Sequence, residues 1–211
     1  MLYNRHMRFL HPLDDVFRTA TRVKILRLLT RTPEIIFTGR EIARNIGVAS
    51  SNVSLALSGL EKIGVVHSVA KGRSLLYRLN TRHILCERLL RDLFDKEAGT
   101  LNYALGKLFL KWPRDIRSAI CYGSVARGDE EVSSDVDICF IIRDSSRLGA
   151  ILRILEQVQS EFYLCTGNRF SPYVVSARSF MVRYRRDDPL IREIASEGLL
   201  LHGDAIGELV K

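Results

Sequence analysis

The sequence predicts a mixed α/β protein of two domains: an N-terminal domain of three helices and a β-hairpin, a helical linker, and a C-terminal α+β domain with a mixed sheet. The length of 211 residues suits one large domain or two small ones. Excess positive charge is confined to the first part of the chain, and helical periodicity later gives way to apolar strands that alternate with helices. The expected divisions are residues 1–80, 81–112 and 113–211.

The composition excludes several classes of protein. Hydrophobic residues make up 46% of the chain and charged residues 27%, as in an ordinary soluble globular protein. No run reaches the roughly 18 apolar residues needed to span a bilayer, and the charged N-terminus lacks the apolar stretch of a signal peptide. The 4 cysteines are far apart and have no metal-type spacing. We therefore expect a reduced, cytoplasmic protein with no membrane association, no structural disulfide and no zinc.

The net charge of +8 is distributed unevenly along the chain. Residues 1–80 contain 13 lysines and arginines against 5 acidic residues, whereas residues 81–211 contain 19 of each. A basic module joined to a neutral one is typical of a polyanion-binding domain fused to a domain with a different function. The alternative is a basic surface that is merely solvated.

Capping and turn signals define the elements of the N-terminal domain. Thr38 and Glu41 have the spacing of a capping box, and Gly64 is a natural stop for a helix. Two β-rich runs flank a basic tip at residues 70–73, which predicts a hairpin. The predicted elements are, in order, a helix over residues 13–30, a short helix after the capping box, a helix from Ser50-Ser51-Asn52 to Gly64, and strands over residues 65–69 and 74–79.

This pattern, and above all the stretch FTGREIARNIGVASSNVSLALSGLEKIGVV, resembles a winged helix-turn-helix domain of the ArsR/MarR-like type over about residues 13–80. In such folds the third helix enters the major groove of DNA and the wing tip lies along the backbone. The resemblance therefore implies double-stranded DNA as a partner. The candidates for contact with the bases are Ser50, Ser51, Asn52 and Ser54, and those for contact with phosphates are Arg40, Arg44, Lys71 and Arg73.

Alternatives stay open for this part of the chain. Ser50 and Ser51 have the residue type of helix N-caps and need not touch DNA. Winged helices also act as protein-interaction modules, although the charge distribution favours nucleic acid. Residues 81–112 have helical periodicity with a break near residues 97–100, and such a flanking segment either forms a homodimer or simply connects the two domains.

The C-terminal domain contains a glycine-serine pair and two aspartates within the stretch GSVARGDEEVSSDVDICFII. Gly123 and Ser124 follow an apolar strand and open a helix, an arrangement that presents backbone N–H groups to a phosphate. Asp135 and Asp137 are two residues apart on a strand and therefore project from the same face. Paired carboxylates repel each other unless a cation lies between them. Hard oxygen ligands beside a phosphate site indicate Mg²⁺ held jointly with a nucleotide.

The same stretch is similar to the signature of the DNA polymerase β-like nucleotidyltransferase superfamily, and especially to the minimal nucleotidyltransferases of prokaryotes, over about residues 113–203. The resemblance implies that Gly123 and Ser124 hold the phosphates of an NTP, and ATP is the expected nucleotide. It implies that Asp135 and Asp137 are the catalytic residues and the ligands of Mg²⁺. Arg127 matches the arginine of the family as a nucleotide-binding residue, or else pairs with nearby acids.

The sequence departs from the family pattern at the next strand, which is predicted over residues 169–176. In the family this strand commonly carries a third carboxylate, whereas here it offers Ser171 and Tyr173. The nearest other acids, at positions 161, 187 and 188, do not match the pattern. Loss of one carboxylate weakens the general-base and second-metal roles most.

Together these features predict a DNA-binding protein whose nucleotidyltransferase domain transfers a nucleoside monophosphate from an NTP to a hydroxyl acceptor. A domain of about 90 residues leaves little room for a pocket that holds a small acceptor. Related minimal nucleotidyltransferases often act as antitoxins that modify a partner, so the resemblance implies a protein acceptor. The alternative is a transcriptional regulator whose nucleotidyltransferase domain has lost transfer and only senses nucleotide.

Overall fold

The structure is a computed structural model that describes residues 6–72, 74–109 and 111–209. These residues form two compact units, of which the first ends at Gly99 and the second begins at Thr100. The helical segment expected over residues 81–112 is divided between them. Leu90 and Phe94 lie in the core of the first unit, whereas Leu105 and Phe109 lie in a core of the second.

The first unit has the winged-helix fold that the sequence predicts. A three-stranded antiparallel sheet in the order β1-β3-β2 accompanies four helices, α1 to α4, and a further helical segment follows the sheet. This segment opens with a π-helical turn at Cys86–Leu90. The elements are α1 (Leu13–Val16), α2 (Ala20–Arg31), β1 (Phe37–Thr38), α3 (Gly39–Ile46), α4 (Ser50–Lys62), β2 (Val66–Lys71), β3 (Ser74–Leu79) and α5 (Arg91–Ala98).

Local capping explains where α2 and α3 begin. The capping box before α3 is present, because the Thr38 hydroxyl accepts a hydrogen bond from the Glu41 N–H and the Glu41 carboxylate accepts one from the Thr38 N–H at 2.7 Å. The single helix expected over residues 13–30 is instead two, because the Thr19 side chain accepts from the Arg22 N–H and starts α2 anew. Sequence periodicity continues across such a break and did not reveal it.

The core of the first unit explains why the segment after the wing belongs to it. Apolar side chains of α2, α3 and α4 are fully buried together with Leu90 and Phe94, which come from the segment after the wing. The Arg27 guanidinium on α2 also pairs with the Glu97 carboxylate on α5 at 2.6 Å. Burying side chains of this size contributes roughly 1.5–3 kcal/mol each, so the segment stabilises the winged helix substantially.

The second unit is a four-stranded mixed sheet with helices on both faces. The strand order is β6-β5-β4-β7, in which β5 and β6 are parallel and the other pairs are antiparallel. Alternate residues of β5 point into different cores: Phe140 joins side chains of α6 and α8, whereas Cys139 joins side chains of α9 and α10. The elements are α6 (Thr100–Leu108), β4 (Ile116–Tyr122), α7 (Gly123–Arg127), β5 (Val136–Ile142), α8 (Leu148–Thr166), β6 (Phe170–Ser176), α9 (Ala177–Arg185), α10 (Pro189–Glu197), β7 (Leu199–Gly203) and α11 (Ile206–Leu209).

Across the ranges that the structure describes, we find no helix with the length and apolarity needed to cross a membrane.

Candidate functional site

Two aspartates lie at one edge of the C-terminal sheet, where β5 begins. Asp135 directly precedes β5, and Asp137 is its second residue. Asp137 is in register with Tyr122 at the end of β4 on one side and with Ser171 at the start of β6 on the other. Because side chains alternate along a strand, both carboxylates project from the face that α9 and α10 cover.

Gly123 brings the backbone of the glycine-serine motif against these carboxylates. Its φ is +72°, in the left-handed region, and a Cβ atom added there would lie 2.8 Å from the Oδ2 atom of Asp137. Only glycine combines this backbone conformation with so close an approach. Gly123 also opens α7, and no side chain caps that helix. The first turn of α7, with its uncapped N–H groups, therefore begins beside Asp137.

The electrostatic environment of Asp137 disfavours its negative charge. The pKa of Asp137 is raised above its ordinary value by its half-buried position, then by the negative charge of Asp135 and by that of Glu193. Each of these influences favours the protonated carboxyl, and none comes from a cation. Burial, with Asp137 next in effect, also raises the pKa of the neighbouring Tyr122 to about 12. A cation bound beside Asp137 would relieve this destabilisation of its charged form.

A serine occupies the place next to these aspartates on β6. The Ser171 hydroxyl lies 3.4 Å from the Oδ2 atom of Asp135, on the strand that we expected to lack a third carboxylate. Tyr173, two residues further on, is bonded to the Arg183 guanidinium. Asp188 caps α10 and pairs with Arg183, and Asp187 pairs with Arg192, so both acids have structural roles. In the part of the chain that the structure describes, we find no group of three or more His, Cys, Asp or Glu residues arranged to hold a metal ion.

These residues fit one jointly held Mg²⁺ ion better than two. Two carboxylates supply part of an octahedral oxygen shell, and water and nucleotide phosphates commonly supply the rest for Mg²⁺. A second ion beside the attacking hydroxyl needs further anionic ligands, and Ser171 offers only a neutral hydroxyl.

Arg127 is engaged with acidic side chains rather than free. Its guanidinium pairs with Glu193 at 2.8 Å and Asp129 at 3.3 Å, and Glu197 lies 3.6 Å away. Of the two interpretations of this arginine from the sequence, pairing with nearby acids describes its contacts in the structure. Glu193 was not singled out from the sequence, because it lies on α10, far along the chain, and belongs to no local motif.

The exposed face of α4 is the candidate nucleic-acid interface. The inner face of this helix is fully buried at Val53, Leu57 and Leu60, so the opposite face points to solvent. The expected base-contacting residues Ser50, Ser51, Asn52 and Ser54 are all exposed. Ala49, not a serine, is the N-cap residue of α4, and no side chain caps the helix. The capping alternative for Ser50 and Ser51 is therefore not what the structure has.

The expected phosphate contacts lie around this face. Arg40 and Arg44 are exposed on α3, and Lys71 is exposed at the end of β2. Arg73, which the sequence predicts at the tip of the wing, lies outside the described residues.

Three residues near α4 were missed by sequence reasoning. Leu55 is 76% exposed on the outer face of the helix. Arg18 and Arg22 line a groove of about 720 Å³ along α4, together with Asn52, Leu55, Ser58 and Lys62. Gly59 makes room for Arg22, because a Cβ atom at Gly59 would overlap the guanidinium. A helical wheel drawn for residues 50–62 would have revealed Leu55, whereas the position of Arg22 depends on tertiary packing.

A known family model matches part of the C-terminal region. Residues 105–195 match the family model described as "Nucleotidyltransferase domain". A comparison with curated protein sequences finds no significant match.

Three solved structures are among those similar to parts of the chain. A toxin-antitoxin structure with AMP-PNP is 19% identical, has a TM-score of 0.38, and covers 52% of this chain and 80% of its own. A homodimeric winged helix-turn-helix DNA-binding domain from Mycobacterium bovis, a possible ArsR-family transcriptional regulator, is 23% identical with a TM-score of 0.32 and covers 45% and 85%. A possible transcriptional regulator from Methanosarcina mazei is 12% identical with a TM-score of 0.31 and covers 53% and 99%.

Proposed function

We propose that this protein, which carries a winged-helix domain ahead of a nucleotidyltransferase domain at residues 105–195, binds double-stranded DNA with the first and a Mg²⁺-nucleotide with the second. We further propose that the second domain transfers a nucleoside monophosphate to a hydroxyl acceptor. The observation that carries the proposal is Asp137, which is held against the backbone of Gly123 and feels the negative charge of Asp135.

The chain's own residues account for nucleotide binding. Asp135 and Asp137 supply carboxylate oxygens for the cation, and the N–H groups at the start of α7 donate to phosphate oxygens. When bound, Mg²⁺ would neutralise the triphosphate and polarise the phosphorus that is attacked. Arg127 would reach a phosphate only by exchanging its contact with Glu193, so we assign it a secondary part in binding.

In the transfer step, the acceptor hydroxyl oxygen forms a bond to the α-phosphorus of the NTP. The bond from that phosphorus to the bridging oxygen breaks, and pyrophosphate leaves with its electron pair. The hydroxyl proton must pass to solvent, because Ser171 can orient the acceptor by a hydrogen bond but cannot hold the proton at neutral pH. We therefore expect slow transfer. Because the small domain leaves little room for an acceptor pocket, we also expect a protein acceptor that brings its own binding surface.

Ser171 also favours a second candidate function. If no group takes the proton, the domain binds Mg²⁺-nucleotide without consuming it, and the protein acts in transcription regulation as a nucleotide-sensing DNA-binding protein. The DNA-binding domain is the same in both candidates. Neither candidate needs Arg127 or Glu193 to act on the reacting atoms.

One experiment separates the two candidates. The full-length protein is incubated with NTPs labelled at the α-phosphate and with Mg²⁺, in the presence and absence of cell extract, beside the Asp137→Asn variant. Label that appears on a macromolecule with the native protein but not with Asp137→Asn supports transfer. Nucleotide binding without labelled product supports sensing, and no nucleotide binding overturns both.

The surroundings of the protein complete the proposal. We propose a cytoplasmic location, and the four free cysteines, three of them buried, support it. A homodimer formed through the apolar side chains of Ile84, Leu89 and Leu93, which are 43–47% exposed, would present two α4 helices to DNA. Sedimentation of the full-length protein measures this directly.

A further inference from the structure

The outer face of α4 has an apolar residue at its centre. Ser51, Leu55, Ser58 and Lys62 follow one another at intervals of three or four residues and therefore share one face of the helix. Leu55 is 76% exposed, and this face is opposite the buried stripe of Val53, Leu57 and Leu60. The hydrophobic core therefore does not explain a leucine at this position.

The neighbours of Leu55 are short or basic. Ser51 and Ser58 carry hydroxyls one carbon from the backbone, so Leu55 projects further from the helix than they do. Arg18, Arg22 and Lys62 line the groove beside it, and the acid Asp15, which also lines it, is paired with Arg8, so the rim has a net positive charge. An isolated exposed leucine is common on protein surfaces. One that stands at the centre of a polar face with a cationic rim has the arrangement of an apolar contact inside a polyanion-binding surface.

We propose that Leu55 contacts the C5-methyl group of thymine and makes the winged helix select A·T base pairs. This inference rests on the proposed DNA binding of the domain and adds what the domain reads. A leucine side chain has no hydrogen-bond donor or acceptor. In the major groove the only apolar group that an unmodified base presents is the thymine methyl, so Leu55 can distinguish bases only through that group.

The test compares two DNA duplexes that differ only by this methyl group. The full-length protein is titrated with a duplex of alternating A·T pairs and with the same duplex in which every thymine is replaced by uracil. The phosphate charges and hydrogen-bonding groups are the same in both. We expect the thymine duplex to bind about fourfold more tightly, the factor that burial of one methyl group contributes.

Two variants assign the difference to Leu55. Leu55→Ala should bring the ratio of the two affinities close to one and leave the affinity for the uracil duplex nearly unchanged. Leu164→Ala is the matched control, because Leu164 is also 76% exposed and lies on α8 in the other unit, so its ratio should equal that of the native protein. As a second measurement, a G·C duplex that contains 5-methylcytosine should bind more tightly than the same duplex with cytosine, since 5-methylcytosine carries a methyl group at the same ring position as thymine.

Three other outcomes would contradict the proposal. Equal binding of both duplexes by the native protein overturns the assignment of Leu55, and so does a ratio that Leu55→Ala leaves unchanged. If the protein binds neither duplex at low salt, DNA binding itself is wrong. Leu55 then belongs to a protein-docking face.

Discussion

At the scale of single residues, the contact between Gly123 and Asp137 carries most of the proposed nucleotide chemistry. The two carboxylates repel each other without a cation, so each bound phosphate and each bound Mg²⁺ favours the other. Nucleotide and Mg²⁺ should therefore bind synergistically, and each should tighten the other by the same factor, as linkage requires. Calorimetric titration of ATP with and without Mg²⁺ measures this factor, and Asp137→Asn should remove it with little loss of thermal stability.

Gly123→Ala tests the close approach itself. The added methyl group would displace the Asp137 carboxylate, and ATP affinity should fall at least about tenfold. Gly128→Ala is the matched control: Gly128 has nearly the same φ, +73°, but no atom lies within 4 Å of an added Cβ. Both variants should lose about 1–2 kcal/mol of stability from the left-handed conformation, and only the first should lose ATP binding. Equal losses of binding would mean that the motif acts through backbone strain alone.

The variant Ser171→Asp tests whether a third carboxylate is all that the site needs for efficient transfer. The new side chain would lie next to Asp135, where it can accept the proton of an attacking hydroxyl. General-base assistance contributes about 10²-fold or more, so we expect label transfer to rise by about that factor. Without Mg²⁺ the variant should melt at a lower temperature than the native protein, because three carboxylates then repel one another. Ser176→Asp, at the far end of the same strand, controls for the added charge.

At the scale of elements, a histidine joins the end of the wing to the end of α4. His83 faces the Ile63 carbonyl through Nε2 at 3.1 Å, and its Nδ1 accepts from the Leu85 N–H. The ring is therefore neutral with its proton on Nε2. Burial lowers the pKa of His83 below its ordinary value, and the positive charge of His67 lowers it further.

This lowered pKa predicts that the winged helix loses stability in acid. The unfolded chain takes up the proton at a higher pH than the folded domain does, so the stability is fully present above the ordinary histidine pKa of about 6.5. It is lost as the pH falls through the lowered pKa of the folded state. Urea unfolding between neutral pH and about pH 5 should show this decline, and His83→Gln should reduce it. A decline of the same size in His83→Gln would assign it to other titratable groups of the winged helix.

Comparison of the elements shows where sequence reasoning succeeds. The capping box at Thr38 and the apolar runs of β4 and β5 are local signals, and these elements occur where they were predicted. The break at Thr19 was missed because one capping hydrogen bond outweighs continuous periodicity. Glu193 and Arg22 were missed for a different reason: each acts through a contact that exists only after distant segments pack.

At the scale of the whole molecule, the chain is two units with separate cores. Because Leu90 and Phe94 complete the first core, we expect a fragment of residues 1–99 to fold alone and to bind DNA with a steep dependence on salt. A fragment of residues 1–80 loses both side chains and should be less stable by at least about 4 kcal/mol. Urea unfolding followed by circular dichroism compares the two, and equal stability would show that the segment after the wing is only a linker.

Salt titration of the longer fragment also separates the expected role of the wing residue Lys71 from that of the helix residue Asn52. Lys71→Ala should weaken binding to all DNA sequences alike and make the salt slope shallower by about one, since it removes one phosphate contact. Asn52→Ala should reduce discrimination between sequences more than affinity. The reverse pattern would exchange the assignments of wing and helix.

The room that Gly59 leaves for Arg22 ties two distant positions together. Any side chain at position 59 would push the guanidinium off α4, since it would occupy the same space. The arginine is flexible, so the fold would survive such a change while the positive charge moved away from the groove. In chains descended from this one, the two positions should consequently vary as a pair: glycine at 59 where arginine stands at 22, and larger residues at 59 only where the arginine has been lost. Covariation of this kind would indicate which related proteins have kept the positive charge of the groove.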